Sequence, residues 1–210
     1  MARFLETLAW VACIVYSTIP AFWLAIHPFA GFWRARRRNP FALLVPLWIA
    51  VWIAVELVTA PWRHVHFYTT PWTWLPAVVV LTAGIWTYRR AGAGFSWSQL
   101  GGLPEIRESS GVQRPLAATD IRAHVRHPIY LGHLLEMLAW SLGSGLVVCF
   151  VLALVGVVTG AVMIAMEDRE LESRFGEDFR RYKINVPAIF PRRTSRPTPY
   201  NPNVTPKAGQ

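Results

Sequence analysis

Charge is scarce in this chain of 210 residues: Asp, Glu, Lys and Arg make up 16% of it, against roughly 25% in a typical soluble domain, while 53% of the side chains are apolar. That balance argues against an ordinary soluble enzyme. Acid is the scarcer sign, with 12 Asp and Glu against 21 Lys and Arg and a net charge of +9. In so apolar a chain, excess cation sets membrane orientation rather than a grip on nucleic acid. Cysteine is almost absent. Cys13 and Cys149 each lie inside an apolar run, which excludes a disulfide framework and a zinc site. No Walker loop, heptad or internal repeat is present either.

Long apolar runs are what the chain has instead. A helix crossing a hydrocarbon core of roughly 30 Å needs about 20 mostly apolar residues. Residues 4–26 carry only Glu6, residues 41–58 only Glu56, and residues 72–88 no charge. Residues 137–166 are uncharged throughout; as one straight helix they would run about 45 Å and overshoot the bilayer. Gly143, Ser144 and Gly145 supply a bend. The expectation is an all-α integral membrane fold of five transmembrane helices, the last two forming a helical hairpin over residues 128–142 and 146–166. The first run is too long for the apolar core of a signal peptide, and no Ala-x-Ala-like site leads into a polar mature domain.

Charge sorting agrees with five spans. All but two of the 21 Lys and Arg fall on one side, leaving Arg3 and Arg63 on the other. The positive-inside rule then places the N-terminus outside and the C-terminus in the cytosol, in the cell inner membrane. Three regions follow: residues 1–88 with the first three spans, residues 89–191 with a loop, the hairpin and a cytosolic helix, and residues 192–210 as a tail. The glycine-rich segment 89–126 is too long for a simple connector. Residues 167–182 place Leu171, Phe175 and Phe179 at i, i+4 and i+8, the pattern of a cytosolic amphipathic helix lying on the membrane surface. Pro197, Pro199, Pro202 and Pro206 among polar residues predict a disordered tail.

The chemistry-bearing residues cluster at the cytosolic end of the hairpin. Arg126, His127, Pro128, Tyr130 and Gly132 stand at its start, with Glu167 and Asp168 at its finish. A hairpin returns to the face it left, so the two groups can meet at one boundary. Pro128 suits the first turn of a helix, where its missing N–H costs no hydrogen bond. The bland alternatives are an acidic helix start for Glu167 and Asp168 and a positive-inside anchor for Arg126. Glu136 lies within a span, where an acid costs about 2.5–3.5 kcal/mol, and it stands one turn beyond His133. That pair is expected either to line a cavity or to neutralise itself. His64 and His66, with Trp62, Tyr68, Trp72 and Trp74, are expected to form an outer aromatic belt rather than a metal site.

The pattern Arg126-His127-Pro128-x-Tyr130-x-Gly132, a hydrophobic hairpin, then Glu167-Asp168-x-x-Leu171-x-x-x-Phe175-Gly176-x-x-Phe179-x-x-Tyr182 and Val186-Pro187 with Pro191 resembles the isoprenylcysteine carboxyl methyltransferase family of integral membrane enzymes. The likeness covers residues 114–191, and its combined spacing is far more specific than any one piece. It implies methyl transfer from S-adenosylmethionine to a lipophilic acceptor that enters from the bilayer. It implies a cofactor site of Arg114, Pro115, Leu116, Ala117, His127, Pro128, Ile129, Tyr130 and Glu167. Arg122 joins them because Asp120-Ile121-Arg122 stands where the family often has Gly-x-Tyr. Arg126, Glu136 and Glu167 are the catalytic candidates, and no metal is implied.

The donor's cationic groups call for an anion such as Glu167, and its carboxylate for donors such as His127 or Tyr130. Methyl transfer to an ionised carboxylate needs no general base, only positioning and exclusion of water. Two further departures from the family are Met163, where an arginine would bind the acceptor carboxylate, and Asp168 in place of glutamate. Two alternatives stay open: N-methylation of a phospholipid or small lipid amine, and a non-enzymatic membrane protein binding a lipid, quinone or haem. No nucleic-acid partner is expected.

Overall fold

The computed structural model describes residues 2–26, 28–35, 39–92, 116 and 118–190, and among them the secondary structure is helical apart from one isolated β-bridge between His66 and Leu146. Seven α-helices occur among these residues: α1 (Ala2–Leu24), α2 (Ala30–Ala35), α3 (Pro40–Thr59), α4 (Trp74–Gly92), α5 (Pro128–Ser144), α6 (Val147–Phe175) and α7 (Glu177–Asn185). Single 3-10 turns extend α3 (Ala60–Trp62), precede α4 (Pro71–Thr73) and precede α5 (Asp120–Ala123).

Local chemistry explains the boundaries. Asn39 caps α3, its side chain accepting from the Phe41 N–H at 3.1 Å, and Pro40 takes the first helical position. Pro128 does the same for α5. That helix stops because Gly145 adopts the left-handed conformation, φ 67°, before α6 begins at Val147.

The core is built around α5. Glycines let its neighbours come close: Gly84 of α4 lies against Glu136 and Leu135, Gly132 against the Gly84 carbonyl and Tyr88, and Gly156 of α6 against Met137 and Ser17. A second cluster ties α1 to α6 through Ala9, Trp10, Cys13, Ile14, Cys149 and Leu152. Polar pins hold α3 to α1, with Thr18 Oγ1 accepting from the indoles of both Trp48 and Trp52 at 2.9 Å and Trp10 donating to Thr59 at 2.9 Å. The other side of α3 exposes Leu43, Leu47, Ile53, Leu57 and Val58. A continuous apolar face of that length is suited to lipid.

Among the described residues, three helices are long and apolar enough to cross a membrane: Arg3–Leu24, Pro40–Trp62 and Val147–Phe175. The stretches expected as a third and fourth span are helical, but α4 and α5 fall outside that group with 19 and 17 residues. The 17 residues of α5 are too few, and α4 carries Arg89 and Arg90 in its last turn.

The expected single amphipathic helix over residues 167–182 is corrected. Glu167 to Phe175 continue α6, and Gly176, at φ 54°, breaks the chain before α7. The apolar stripe is covered by protein: Phe179 is completely buried with Tyr182, Val186 and Ala118, and Leu116, Leu171 and Phe175 pack around them. The tail (192–210), most of the glycine-rich segment and Arg36, Arg37 and Arg38 lie outside the described residues.

Candidate functional site at the start of α5

The chain reaches α5 through two residues bonded to the segment after α7. The N–H of Arg126 donates to the Pro187 carbonyl and that of His127 to the Ala188 carbonyl, both at 2.9 Å. These bonds lay the segment after α7 beside the start of α5. Pro128 then fixes the chain direction, so His127 stands at the cap position without using its side chain as a cap. The imidazole turns instead toward α6.

Both ring nitrogens face carboxylates. His127 Nε2 lies 2.9 Å from Asp168 Oδ1, and Nδ1 lies 3.4 Å from Glu167 Oε2. Burial opposes a charge on this ring, but the hydrogen bonds to Asp168 and Glu167 override it and raise the pKa from 6.5 to about 9. His127 is therefore an imidazolium at neutral pH. Asp168 also receives Arg126 Nη2 at 2.9 Å, with Lys183 Nζ at 3.6 Å. Arg126 Nη1 donates to the carbonyls of Lys183, at 3.0 Å, and Val186. Its Nε is buried without a hydrogen-bond partner among the described residues. Arg126 and Asp168 form a closed latch, each side chain 8% exposed, whereas the Glu167 side chain is 30% exposed at the rim.

A second set of bonds props the latch. The Tyr182 hydroxyl donates to the Arg122 carbonyl at 2.6 Å, and Arg122 Nη1 donates to the Ala91 carbonyl near the end of α4 at 2.9 Å. Burial lowers the pKa of Arg122 and raises that of Tyr182. Arg122 thus fastens α4 to the 3-10 turn before α5.

The structure brings Arg126, His127, Pro128 and Glu167 together. Tyr130 is half-buried beside them, its ring 6.1 Å from that of His127, and Ile129 is half-buried in the same turn. Leu116 packs with the Phe179 cluster. Arg114, Pro115 and Ala117 lie outside the described residues. Glu136 is elsewhere: nine residues along α5 from His127, it sits about 13 Å further up the helix. The polar group beside its carboxyl is Tyr16 of α1 rather than His133. His133 is instead surrounded by rings, with Tyr16 and Tyr88 at 5.5 Å and Tyr130 at 6.5 Å. Tyr16, Tyr88 and Lys183 were not indicated by any motif; only the tyrosines, as polar groups inside apolar runs, left a trace in the sequence.

Chemically, the cluster holds charge. An imidazolium between two carboxylates, one at the rim, is suited to positioning an ionic ligand rather than to generating a nucleophile. No family model, curated protein or solved structure matches this chain.

Proposed function

We propose that the protein is an integral membrane methyltransferase that uses S-adenosylmethionine and resembles the isoprenylcysteine carboxyl methyltransferases, with carboxyl O-methylation of a lipophilic acceptor as its reaction. The observation that carries this reading is the bonding of His127 to Asp168 and Glu167, which joins the two motif halves across 40 residues at one end of the bundle. In this reading α4 and α5 also span the bilayer, α5 and α6 form the hairpin of a five-span topology, and the site faces the cytosol at the inner membrane.

The residues present suit the cofactor. Glu167 offers an accessible carboxylate to the donor's cationic groups, and His127 holds that carboxylate in place. Tyr130 supplies an aromatic wall with a hydroxyl. Bound there, S-adenosylmethionine supplies an electrophilic methyl group. Asp168 and Arg126, locked to each other, are positioning residues that fix the rim on which Glu167 stands. An acceptor carboxylate already ionised needs orientation and a dry site, which the apolar helices provide.

One observation favours a second acceptor class. Met163, where the family places an arginine for the acceptor carboxylate, is completely buried in α6 and offers no cation. An amine lipid needs none, so N-methylation is the alternative reaction at the same donor site.

The test is calorimetric titration of detergent-purified protein with S-adenosylmethionine and its demethylated product. Saturable binding is expected, weakened at least about tenfold by Glu167→Gln, as loss of a charge-assisted contact requires. A folded sample that binds neither compound overturns the proposal.

A further inference from the structure

A cavity of about 480 Å³ lies at the opposite end of the bundle from His127. It is lined by Arg3, Glu6 and Trp10 of α1 and by Arg63, His64 and His66 of the loop after α3. Arg3 and Arg63, the two cations that charge sorting sets apart from the other nineteen, share this one cavity.

Its walls are held in place. Trp10 is buried and hydrogen-bonded to Thr59, and the Arg63 guanidinium lies over its ring at 5.4 Å. His66 is fixed by its bridge to Leu146, flanked by bonds from Phe67 N to the Gly145 carbonyl and from Val147 N to the Val65 carbonyl. The His66 Nδ1–H donates to the His64 carbonyl at 2.9 Å. Nε2 is therefore free of that bond, 3.5 Å from Glu6 Oε1 and buried without a hydrogen-bond partner among the described residues. Glu6 stands on the His66 side, and neither arginine has a carboxylate partner among the described residues.

We infer that this cavity binds the phosphate ester anion of an amphiphile headgroup, gripped by Arg3 and Arg63. Two guanidiniums against one carboxylate give the cavity a positive balance, and planar guanidinium donors match phosphate oxygens. The volume suits a small headgroup. Phe4, Trp62 and Phe67 stand exposed beside it, the aromatic surroundings of a membrane–water boundary. A membrane phospholipid is thus the favoured source of the phosphate, and the inference does not depend on the methyltransferase reading.

Native mass spectrometry of the full chain, with phosphatidylglycerol or phosphatidylcholine added at equal concentration, tests it. Both lipids carry the phosphate, but the choline cation would face the two guanidiniums, so preferential retention of phosphatidylglycerol is expected, weakened at least about tenfold in the Arg3→Gln/Arg63→Gln double variant. Glu6→Gln, which removes the competing anion, should strengthen retention, and this arm stands even if the double variant fails to fold. Displacement by soluble glycerol phosphate would support the anion site and identify a free phosphate ester as its source; no displacement would support the lipid. Equal retention of the two lipids, a folded double variant that binds like the parent, or weaker binding in Glu6→Gln overturns the inference.

Discussion

Asp168 carries more of the site's organisation than any other side chain, because His127, Arg126 and Lys183 all converge on it. Removing one member of a buried charge group leaves the others uncompensated, which costs about 3–5 kcal/mol. Asp168→Asn should therefore lower the thermal midpoint sharply in detergent, measured by intrinsic tryptophan fluorescence. The same cluster sets a pH dependence. His127 titrates near 9 in the folded protein, above its ordinary 6.5, so its contribution is complete below pH 6.5 and fades as the pH rises through about 9. Melting from pH 6 to 10 should show that decline, and Asp168→Asn should flatten it. A parent protein whose stability is level across that window would show that His127 is not held as the imidazolium. The convergence of Arg126 and His127 on Glu167 and Asp168 was legible in the sequence because a chain that turns back between them returns to the same boundary. The carbonyls of Lys183 and Val186 that complete the latch were not, since a backbone acceptor leaves no mark on residue type. Glu136 was legible as a polar group requiring a partner, but Tyr16 lies 120 residues away on another helix.

At the scale of elements, the turn between α5 and α6 depends on one glycine. Gly145 holds φ at 67°, and a Cβ there would collide with the carbonyl and ring of Tyr68. Gly145→Ala should cost about 2 kcal/mol or more from backbone strain and displacement together. Gly160→Ala is the control, because a Cβ on that helical glycine meets only Pro20, at 3.9 Å; it should be neutral or slightly stabilising. Equal melting midpoints for the two variants would count against this account. Helix starts followed from the sequence where chemistry is local, as at Asn39-Pro40 and Pro128. The end of α6 did not. The four-residue spacing of Leu171, Phe175 and Phe179 reads as one helix, and nothing in that spacing reveals that Gly176 redirects the chain so that Phe179 reaches Ala118.

For the molecule as a whole, the proposed five-span topology makes a direct prediction. Phe67 and Ile184 are both exposed and belong to opposite ends of the bundle. Cysteines introduced at the two positions should react with a membrane-impermeant maleimide from opposite sides: Phe67→Cys from outside intact cells made permeable only at the outer envelope, Ile184→Cys only after the inner membrane is opened. The native Cys13 and Cys149 are buried and should stay silent. Labelling of both positions from one side would exclude an odd number of spans. The bonds that close the latch also impose an order on synthesis. Arg126 and His127 emerge from the ribosome long before residues 183–188, whose carbonyls receive their donors, so the nascent chain holds these groups hydrated until α7 and the residues just after it have been translated. A product interrupted before Lys183 would carry the three long apolar helices and both Arg126 and Asp168, yet lack the backbone carbonyls that complete the latch, leaving a charged end unfinished.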